Sequence, residues 1–394
     1  MSLQSIQLAN GLKSIAQLLE SGLDLGRKNF KAVETLMESF CWEEISLVAV
    51  DFTSQCPPEI LKHIFSYLQP EDLKAAVLVN KRWYAVGENA SLWSWCKLTI
   101  QSGGEEWSSG VKMLKSLRGI RNLAASNLSS NEARQLMLAI NENRSLEDVD
   151  LGSSRMNQVE QELLGGALSR LVRVNLENIV FSEEQLEALF LSSHKIRGLN
   201  LEEVDLSRAS PMMLLCTSRL SELRISNTML TQQQISLIWT AFKSSDFKIF
   251  SMSGSNLSGV EHEALVRVAS NVSKIDLSNT SLTAAQVTAV ATALSENLKI
   301  CEIDLSDNSL DGVDPDLFAS VMSRARRLSL VNTGLTAVQV NKLLKSCTSG
   351  GCPMESLDLS ANQLSTIEPE LLADAVNSLR DVTLVDTGLS VNQV

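Results

Sequence analysis

Residues 272–282 read VSKIDLSNTSL, and residues 300–310 read ICEIDLSDNSL. Both fit the pattern LxxLxLxxNxL, in which apolar residues two positions apart, such as Ile303 and Leu305, alternate with polar ones. That alternation is the period of a half-buried strand. The pattern returns at 146–156, 225–230, 325–335 and 354–364, so the sequence predicts one short strand repeated many times.

The last apolar position of this pattern recurs every 24 to 29 residues and marks eleven units. These closing residues are Leu128, Met156, Phe181, Leu206, Leu230, Leu257, Leu282, Leu310, Leu335, Leu364 and Leu389. Self-similarity at a fixed period of this length is typical of repeat architectures, in which each unit buries its apolar face against its neighbours.

A helix start follows the strand in many units. Six units carry a hydroxyl residue just after the closing position and a Glu or Gln three residues later, the signature of a capping box. They are Ser182–Gln185, Thr231–Gln234, Ser258–Glu261, Thr283–Gln286, Thr336–Gln339 and Ser365–Glu368. Apolar residues at helical spacing follow, such as Val287, Val290 and Leu294. Each unit is therefore predicted to be a strand followed by a helix.

These units resemble the ribonuclease-inhibitor-like class of leucine-rich repeats. The resemblance implies an α/β horseshoe solenoid over 117–394, with parallel strands inside, helices outside and about eleven repeats, the last one incomplete. From Thr280 onward the ninth position of the pattern alternates between Thr and Asn, as in the two repeat types of that class. The earlier repeats are looser, with Ile179, Val204 or Ser255 at that position.

Ahead of the repeats, residues 56–96 read CPPEILKHIFSYLQPEDLKAAVLVNKRWYAVGENASLWSWC. Pro57 and Pro58 open a helix, and Pro70 ends it and begins a second one. Some forty residues cannot bury all their large apolar side chains among themselves. Exposed apolar surface of this kind indicates an interface.

This stretch resembles an F-box, with Cys56 in place of the usual Leu and Asn80 in place of the usual Cys as departures. The resemblance implies an all-helical region at 55–98 that docks on a Skp-type adaptor, which links it to a cullin–RING ubiquitin ligase. The residues implied to bind the adaptor are Pro57, Ile60, Leu61, Ile64, Phe65, Leu68, Leu73, Val79 and Trp83. Residues 99–116, with Ser102 to Glu106 at their start, are expected to form a flexible linker.

Residues 1–50 carry two stretches with apolar residues at helical spacing, which predicts an N-terminal helical segment. Two interpretations stay open. The stretches form a helical pair packed on the F-box, or a helix that dimerises or binds a partner.

The chain offers few groups for chemistry. Three histidines show no metal-ligand spacing, and no motif of a nucleophile, a phosphate loop or a dinucleotide site is present. The sequence therefore predicts no cofactor, no metal site and no catalytic residue. The formal charge of −12 argues against nucleic acid or an anionic membrane as partner. Seven scattered cysteines and the absence of a secretory signal predict reduced thiols in a cytoplasmic or nuclear protein.

An F-box followed by leucine-rich repeats is similar to the substrate receptors of SCF-type cullin–RING ubiquitin ligases. The function predicted from this resemblance is that of a non-catalytic adaptor, whose F-box docks the Skp-type protein and whose repeats bind a target protein. The alternative is a protein-binding scaffold or inhibitor with no ubiquitin role.

The target is expected on the concave face, to which the third, fifth and seventh positions of the pattern point. The predicted binding residues are Asp150, Asn175, Asn200, Arg224, Asp276, Glu302, Asp304 and Asp358. Asp276, Asp304 and Glu302 would form an acidic column, which Lys274 and Arg327 partly offset. Two interpretations stay open, a merely solvated face and a surface for a basic or lysine-rich stretch of a partner.

Overall fold

The computed structural model describes residues 58–66, 73, 76, 81–87, 90–94, 97–116, 119–242, 247–348 and 353–389. Several predicted features lie outside these residues: the helical segment at 1–50 and the site residues Pro57, Leu68 and Val79. The chain divides into two compact units, Met1–His63 and Ile64–Val394, and the repeats lie in the second.

Twelve parallel strands form one open sheet in which each strand pairs with the strands before and after it in the chain. The strands are β1 (Lys97–Thr99), β2 (Asn122–Ala124), β3 (Asp148–Asp150), β4 (Arg173–Asn175), β5 (Gly198–Asn200), β6 (Glu222–Arg224), β7 (Ile249–Ser251), β8 (Lys274–Asp276), β9 (Glu302–Asp304), β10 (Arg327–Ser329), β11 (Ser356–Asp358) and β12 (Asp381–Thr383). This topology confirms the predicted leucine-rich-repeat solenoid.

Helices connect the strands. Those described are α1 (Pro58–Phe65), α2 (Lys81–Gly87), α3 (Ala90–Trp93), α4 (Gly104–Ser116), α5 (Ser130–Glu142), α6 (Gln161–Leu168), α7 (Glu183–Ser192), α8 (Pro211–Leu214), α9 (Gln232–Ala241), α10 (His262–Ala269), α11 (Ala284–Glu296), α12 (Pro315–Met322), α13 (Ala337–Thr348) and α14 (Pro369–Ser378). A short 3₁₀ helix follows α7 at Ser193–Lys195, and another follows α8 at Leu215–Arg219.

The core lies between the sheet and the helices. In each strand from β1 to β11 the middle residue is buried, as at Val149, Leu199 and Ile303, while the residues on either side are mostly in contact with solvent. The apolar residue just after the strand, such as Leu305, is buried as well. The period of two in the sequence therefore divides each strand into a core side and a solvent side.

The structure differs from the prediction at residues 99–116, which were expected to form a flexible linker. Residues 97–99 form β1, which pairs in register with β2, and residues 104–116 form α4. Leu98, Trp107 and Leu114 are buried. This stretch is an additional strand and helix on the end of the array. The repeat pattern did not predict them, because this stretch lacks the full pattern.

The helices start in two ways, which alternate along the array. In early-helix units the helix begins two residues after the closing apolar residue, and these units contain α5, α7, α9, α11 and α13. In late-helix units it begins five residues after that position, and these contain α6, α8, α10, α12 and α14. The two kinds of unit alternate without exception from α5 to α14.

This alternation decides which predicted capping boxes form. The boxes at Ser182–Gln185, Thr231–Gln234 and Thr283–Gln286 are confirmed, and Thr336–Gln339 makes the same bonds. The boxes predicted at Ser258–Glu261 and Ser365–Glu368 are wrong, because α10 begins at His262 and α14 at Pro369. Both belong to late-helix units, where a turn buries Val260 or Ile367 before the helix starts.

The F-box-like region contains α1, α2 and α3. Phe65 and Trp83 meet edge to face, with ring centroids 5.2 Å apart. The indole N–H of Trp93 donates to the carbonyl of Gly87. The buried apolar side chains of this region include Leu61, Phe65, Leu73, Leu92 and Trp93.

Candidate protein-binding face of the parallel sheet

The exposed sheet face consists of the first and third residues of the strands. The parallel register places the third residues side by side, from Asp150 on β3 to Thr383 on β12. Seven predicted site residues stand in this row, namely Asp150, Asn175, Asn200, Arg224, Asp276, Asp304 and Asp358. Glu302 lies in the row of first residues. The structure therefore places all eight on one face, and their role in binding stays a prediction.

Six of these side chains also hold the backbone turn that follows the strand. In each, the Oδ1 oxygen accepts a hydrogen bond from the backbone N–H two residues later, at 2.9–3.3 Å. The pairs are Asp150 with Gly152, Asn175 with Glu177, Asn200 with Glu202, Asp276 with Ser278, Asp304 with Ser306, and Asp358 with Ser360. One oxygen is thus used structurally. Some of the remaining polar atoms bind neighbouring units, since Asn175 Nδ2 donates to Asp150 Oδ1 at 2.9 Å.

Where the third residue is not Asp or Asn, a serine of the preceding unit can take over. Ser226 Oγ accepts from the N–H of Ser253 at 3.0 Å, and Ser306 Oγ accepts from Val331 at 3.1 Å. Ser360 Oγ accepts from the N–H of Val385 at 3.2 Å. The backbone N–H two residues after a strand therefore has two alternative acceptors along the array. They are the Asp or Asn side chain of its own unit and the Ser hydroxyl of the preceding unit.

Glu302 is neutralised by its neighbours in the row of first residues. Its Oε1 lies 2.8 Å from Lys274 Nζ and 2.9 Å from a guanidinium nitrogen of Arg327. The two cations come from β8 and β10, on either side of Glu302 in β9. The acidic column expected from Asp276, Asp304 and Glu302 is therefore confined to the two aspartates.

A second ion-paired group lies over β3 to β6. Arg173 contacts Asp148 at 3.5 Å and reaches Glu222 at 3.3 Å, across the strand that carries Gly198. A methyl group at position 198 would stand 3.0 Å from Arg173 Cγ, so the glycine leaves room for this bridge. The face here forms a depression of about 310 Å³, lined by these side chains and by Asn175, Asn200 and Arg224.

Sequence reasoning missed two carboxylates, Glu177 and Glu202, which lie two residues beyond the ends of β4 and β5. Burial raises the pKa of Glu202, and the nearby charges of Glu177 and Asp276 raise it further, while Arg224 lowers it. Asn200 Nδ2 donates to Glu177 Oε2 at 3.4 Å. The signal that could have found them is their spacing, since they occupy the seventh position of the repeat pattern.

The carboxyl group of Asp304 also has a raised pKa. Burial raises its pKa, and the charges of Asp276 and Asp307 act in the same direction, while hydrogen bonds from Ser306 lower it. Bringing like charges together in a partly desolvated place disfavours the charged form. A cation brought to this part of the face would therefore be stabilised.

The predicted adaptor-binding residues are only partly described. Leu61, Phe65 and Leu73 are buried within the chain, so they stabilise the fold of this region, whereas Trp83 is partly exposed. Ile60 and Ile64 lie in α1. Pro57, Leu68 and Val79 are outside the described residues.

Within the described ranges no group of three or more His, Cys, Asp or Glu side chains could hold a metal ion. No helix among the same residues is both long and apolar enough to cross a membrane.

Comparison with known protein families finds matches for two segments of the chain. An F-box-like family model matches residues 54–98, and a Leucine Rich Repeat model matches residues 299–321. No curated protein matches the chain.

Two solved structures are similar to this chain at low sequence identity. The crystal structure of a TLR13–ssRNA13 complex matches with a TM-score of 0.36 and 14% identity, over 76% of this chain and 45% of that one. The leucine-rich repeat-containing protein LegL7 from Legionella pneumophila matches with a TM-score of 0.39 and 16% identity, over 75% of this chain and 94% of that one. The match thus spans less than half the length of the TLR13 chain.

The family models and the twelve-stranded sheet agree with each other. The F-box-like match ends at residue 98, within β1, and the Leucine Rich Repeat match covers β9 and most of α12. The chain is therefore a leucine-rich-repeat protein that carries an F-box-like segment ahead of its repeats.

Proposed function

We propose that this protein is a non-catalytic substrate receptor of an SCF-type cullin–RING ubiquitin ligase. The observation that carries the proposal is the F-box-like match at 54–98 joined to an array of leucine-rich repeats. The F-box-like segment binds a Skp-type adaptor, and the exposed sheet face binds the target. Such a receptor acts in the cytoplasm or the nucleus, where these ligases meet their targets.

The mechanism is proximity. The receptor holds a target beside a ubiquitin-charged carrier, so the lysines of the target meet the reactive thioester at a high effective concentration. The receptor itself then needs no nucleophile, cofactor or metal.

The test is co-purification with a purified Skp-type adaptor. The full chain should form a complex with the adaptor, and the double variant Ile64→Asp/Leu68→Asp should lose it, because two charges at an apolar interface are strongly penalised. His63→Asp, at an exposed position of α1, is the matched control and should keep binding.

Thermal melting of both variants checks that the repeats stay folded. Adaptor binding at full strength by a folded double variant would contradict the proposal. Failure of the wild-type chain to bind the adaptor at all would favour the alternative, a protein-binding scaffold or inhibitor with no ubiquitin role.

A further inference from the structure

Charge is distributed unevenly between the two ends of the strands. The residue immediately before each strand marks the amino-end edge of the exposed sheet face. Charged residues at this edge are Arg121, Glu147, Arg197, Lys248, Arg326, Glu355 and Arg380. Its two acids are already paired, Glu147 with Arg121 at 3.5 Å and Glu355 with Arg326 at 3.4 Å. This edge therefore carries a net positive charge.

The opposite, carboxyl-end edge comprises the last residue of each strand and the three residues that follow it. Its acids are Asp150, Glu177, Glu202, Glu203, Asp276, Asp304, Asp307, Asp358 and Asp386. In the described strands the basic residue at these positions is Arg224. The carboxyl-end edge is thus strongly negative.

The row of first strand residues separates the two edges and is close to neutral. Lys274, Glu302 and Arg327 pair with one another in it. Further along the row, Arg173 pairs with two acids, one on either side of it. The acids of the carboxyl-end edge are therefore not compensated from this side.

Two of these acids converge on one hydroxyl group. Ser251 Oγ lies 2.9 Å from Asp276 Oδ2 and 3.4 Å from Glu202 Oε1, and it also contacts Ser226 Oγ at 2.6 Å. A hydroxyl has a single proton to donate, so it cannot satisfy both carboxylates at once. An external donor with positive charge would complete this arrangement.

We propose that a lysine- or arginine-rich segment of the target protein lies across the strands along the carboxyl-end edge, from β4 to β9. Five strand spacings of about 4.8 Å span roughly 24 Å, which an extended segment of about seven residues covers. Its cations meet Glu177, Glu202, Asp276 and Asp304, and the positive amino-end edge keeps it from shifting sideways. The proposal rests on the proposed function, in which this face binds the target.

The test measures binding of a fluorescent hepta-lysine peptide to the full chain. The variant Glu177→Gln/Glu202→Gln/Asp304→Asn removes three acids from the proposed site. The control Glu147→Gln/Glu355→Gln/Glu370→Gln removes three acids from the amino-end edge and from helix α14. Both variants change the net charge equally, so a non-specific attraction to the acidic protein would weaken equally in the two.

We expect the first variant to bind the peptide about tenfold more weakly, from three lost charge pairs, and the control to bind as the wild type does. Added salt should weaken wild-type binding. Equal affinities for the two variants, or no binding by the wild type, would overturn the proposal. Adaptor co-purification is independent of this measurement, so either result leaves the test of the proposed function intact.

Discussion

The backbone N–H two residues after a strand needs an acceptor, and in most units the side chain of a single residue supplies it. Asp304 accepts from Ser306 at 2.9 Å, and in the next unit Ser306 accepts from Val331 at 3.1 Å. The aspartates of the face therefore have a structural role that is separate from any role in binding. Asn can perform it as well as Asp, as Asn175 and Asn200 do.

This role predicts different effects for two substitutions of Asp304. Asp304→Ala removes the acceptor and should lower the free energy of unfolding by about 1 kcal/mol, a typical value for one hydrogen bond. Asp304→Asn keeps an oxygen in the same place and should retain the bond. Denaturant unfolding of both variants checks this, and equal losses would show that the bond to Ser306 contributes nothing.

The raised pKa values of Glu202 and Asp304 predict a pH dependence of stability. Because the folded state binds these protons more tightly than the unfolded state, their contribution is present below the unfolded pKa, about 4, and is lost as pH rises through the folded pKa. The variant Glu202→Gln/Asp304→Asn lacks both groups, so its melting temperature relative to wild type should increase between about pH 4 and pH 7. A difference that stays constant with pH would contradict the assignment.

At the scale of elements, the buried glutamine of four capping boxes connects two units. Gln234 Oε1 accepts from the N–H of Thr231 at 2.8 Å. Its Nε2 donates to the carbonyls of Leu206 and Ala209, both at 2.9 Å, in the turn of the preceding late-helix unit. The glutamines that make equivalent contacts are Gln185, Gln286 and Gln339.

Gln234→Ala should therefore destabilise the array by about 3 kcal/mol, because it leaves buried carbonyls and an N–H without partners. Gln233→Ala is the matched control, since Gln233 is exposed at the adjacent position of the same helix. Chemical denaturation of the two variants measures the difference. Similar stabilities would mean that the buried glutamine does not link the two units.

The sequence was sufficient to predict the strands, because the alternation around residues such as Ile303 depends on nothing outside the unit. It predicted the helix starts at Thr231 and Thr283 and failed at Ser258 and Ser365, although the local pattern is the same. At Ser258 the difference lies in the next unit, where Gln286 binds the carbonyls of Leu257 and Val260 in the turn.

The sequence predicted the row of the candidate face that contains Asp276 and Asp304. The period of two in each strand places the fifth position of every unit on the same side of the sheet. Glu177 and Glu202 were missed because the seventh positions, although assigned to the same face, were not compared along the array. The pairing of Glu302 with two cations depends on the register between three strands, which one repeat alone does not contain.

At the scale of the whole molecule, the repeating module is a pair of units. Each late-helix unit from α6 to α12 is followed by an early-helix unit whose glutamine binds carbonyls of its turn. In the later part of the array an asparagine joins one pair to the pair before it. Asn308 Nδ2 donates to the carbonyl of Leu277 at 2.7 Å, and its Oδ1 accepts from the N–H of Leu282 at 3.1 Å, both in the early-helix unit that precedes its own unit. Asn362 repeats this with Leu330 and Leu335.

Deletions provide a test of the pair as a module. Removing residues 258–310 takes out two units and joins Leu257 to a late-helix turn, which preserves the alternation. Removing residues 258–282 takes out one unit, and with it the turn whose Val260 carbonyl accepts from Gln286. We expect the longer deletion to melt cooperatively and the shorter one to melt at a lower temperature, as followed by circular dichroism. The reverse order would contradict the paired module.

The paired arrangement also constrains how a gene for such a protein can change in length. Unequal recombination between neighbouring repeats that adds or removes one unit would place two turns of the same kind in succession. A buried glutamine amide would then lack the turn carbonyls that it binds. A shift by two units restores every contact. Descendants of this gene that retain a folded product should therefore differ from one another by even numbers of repeats.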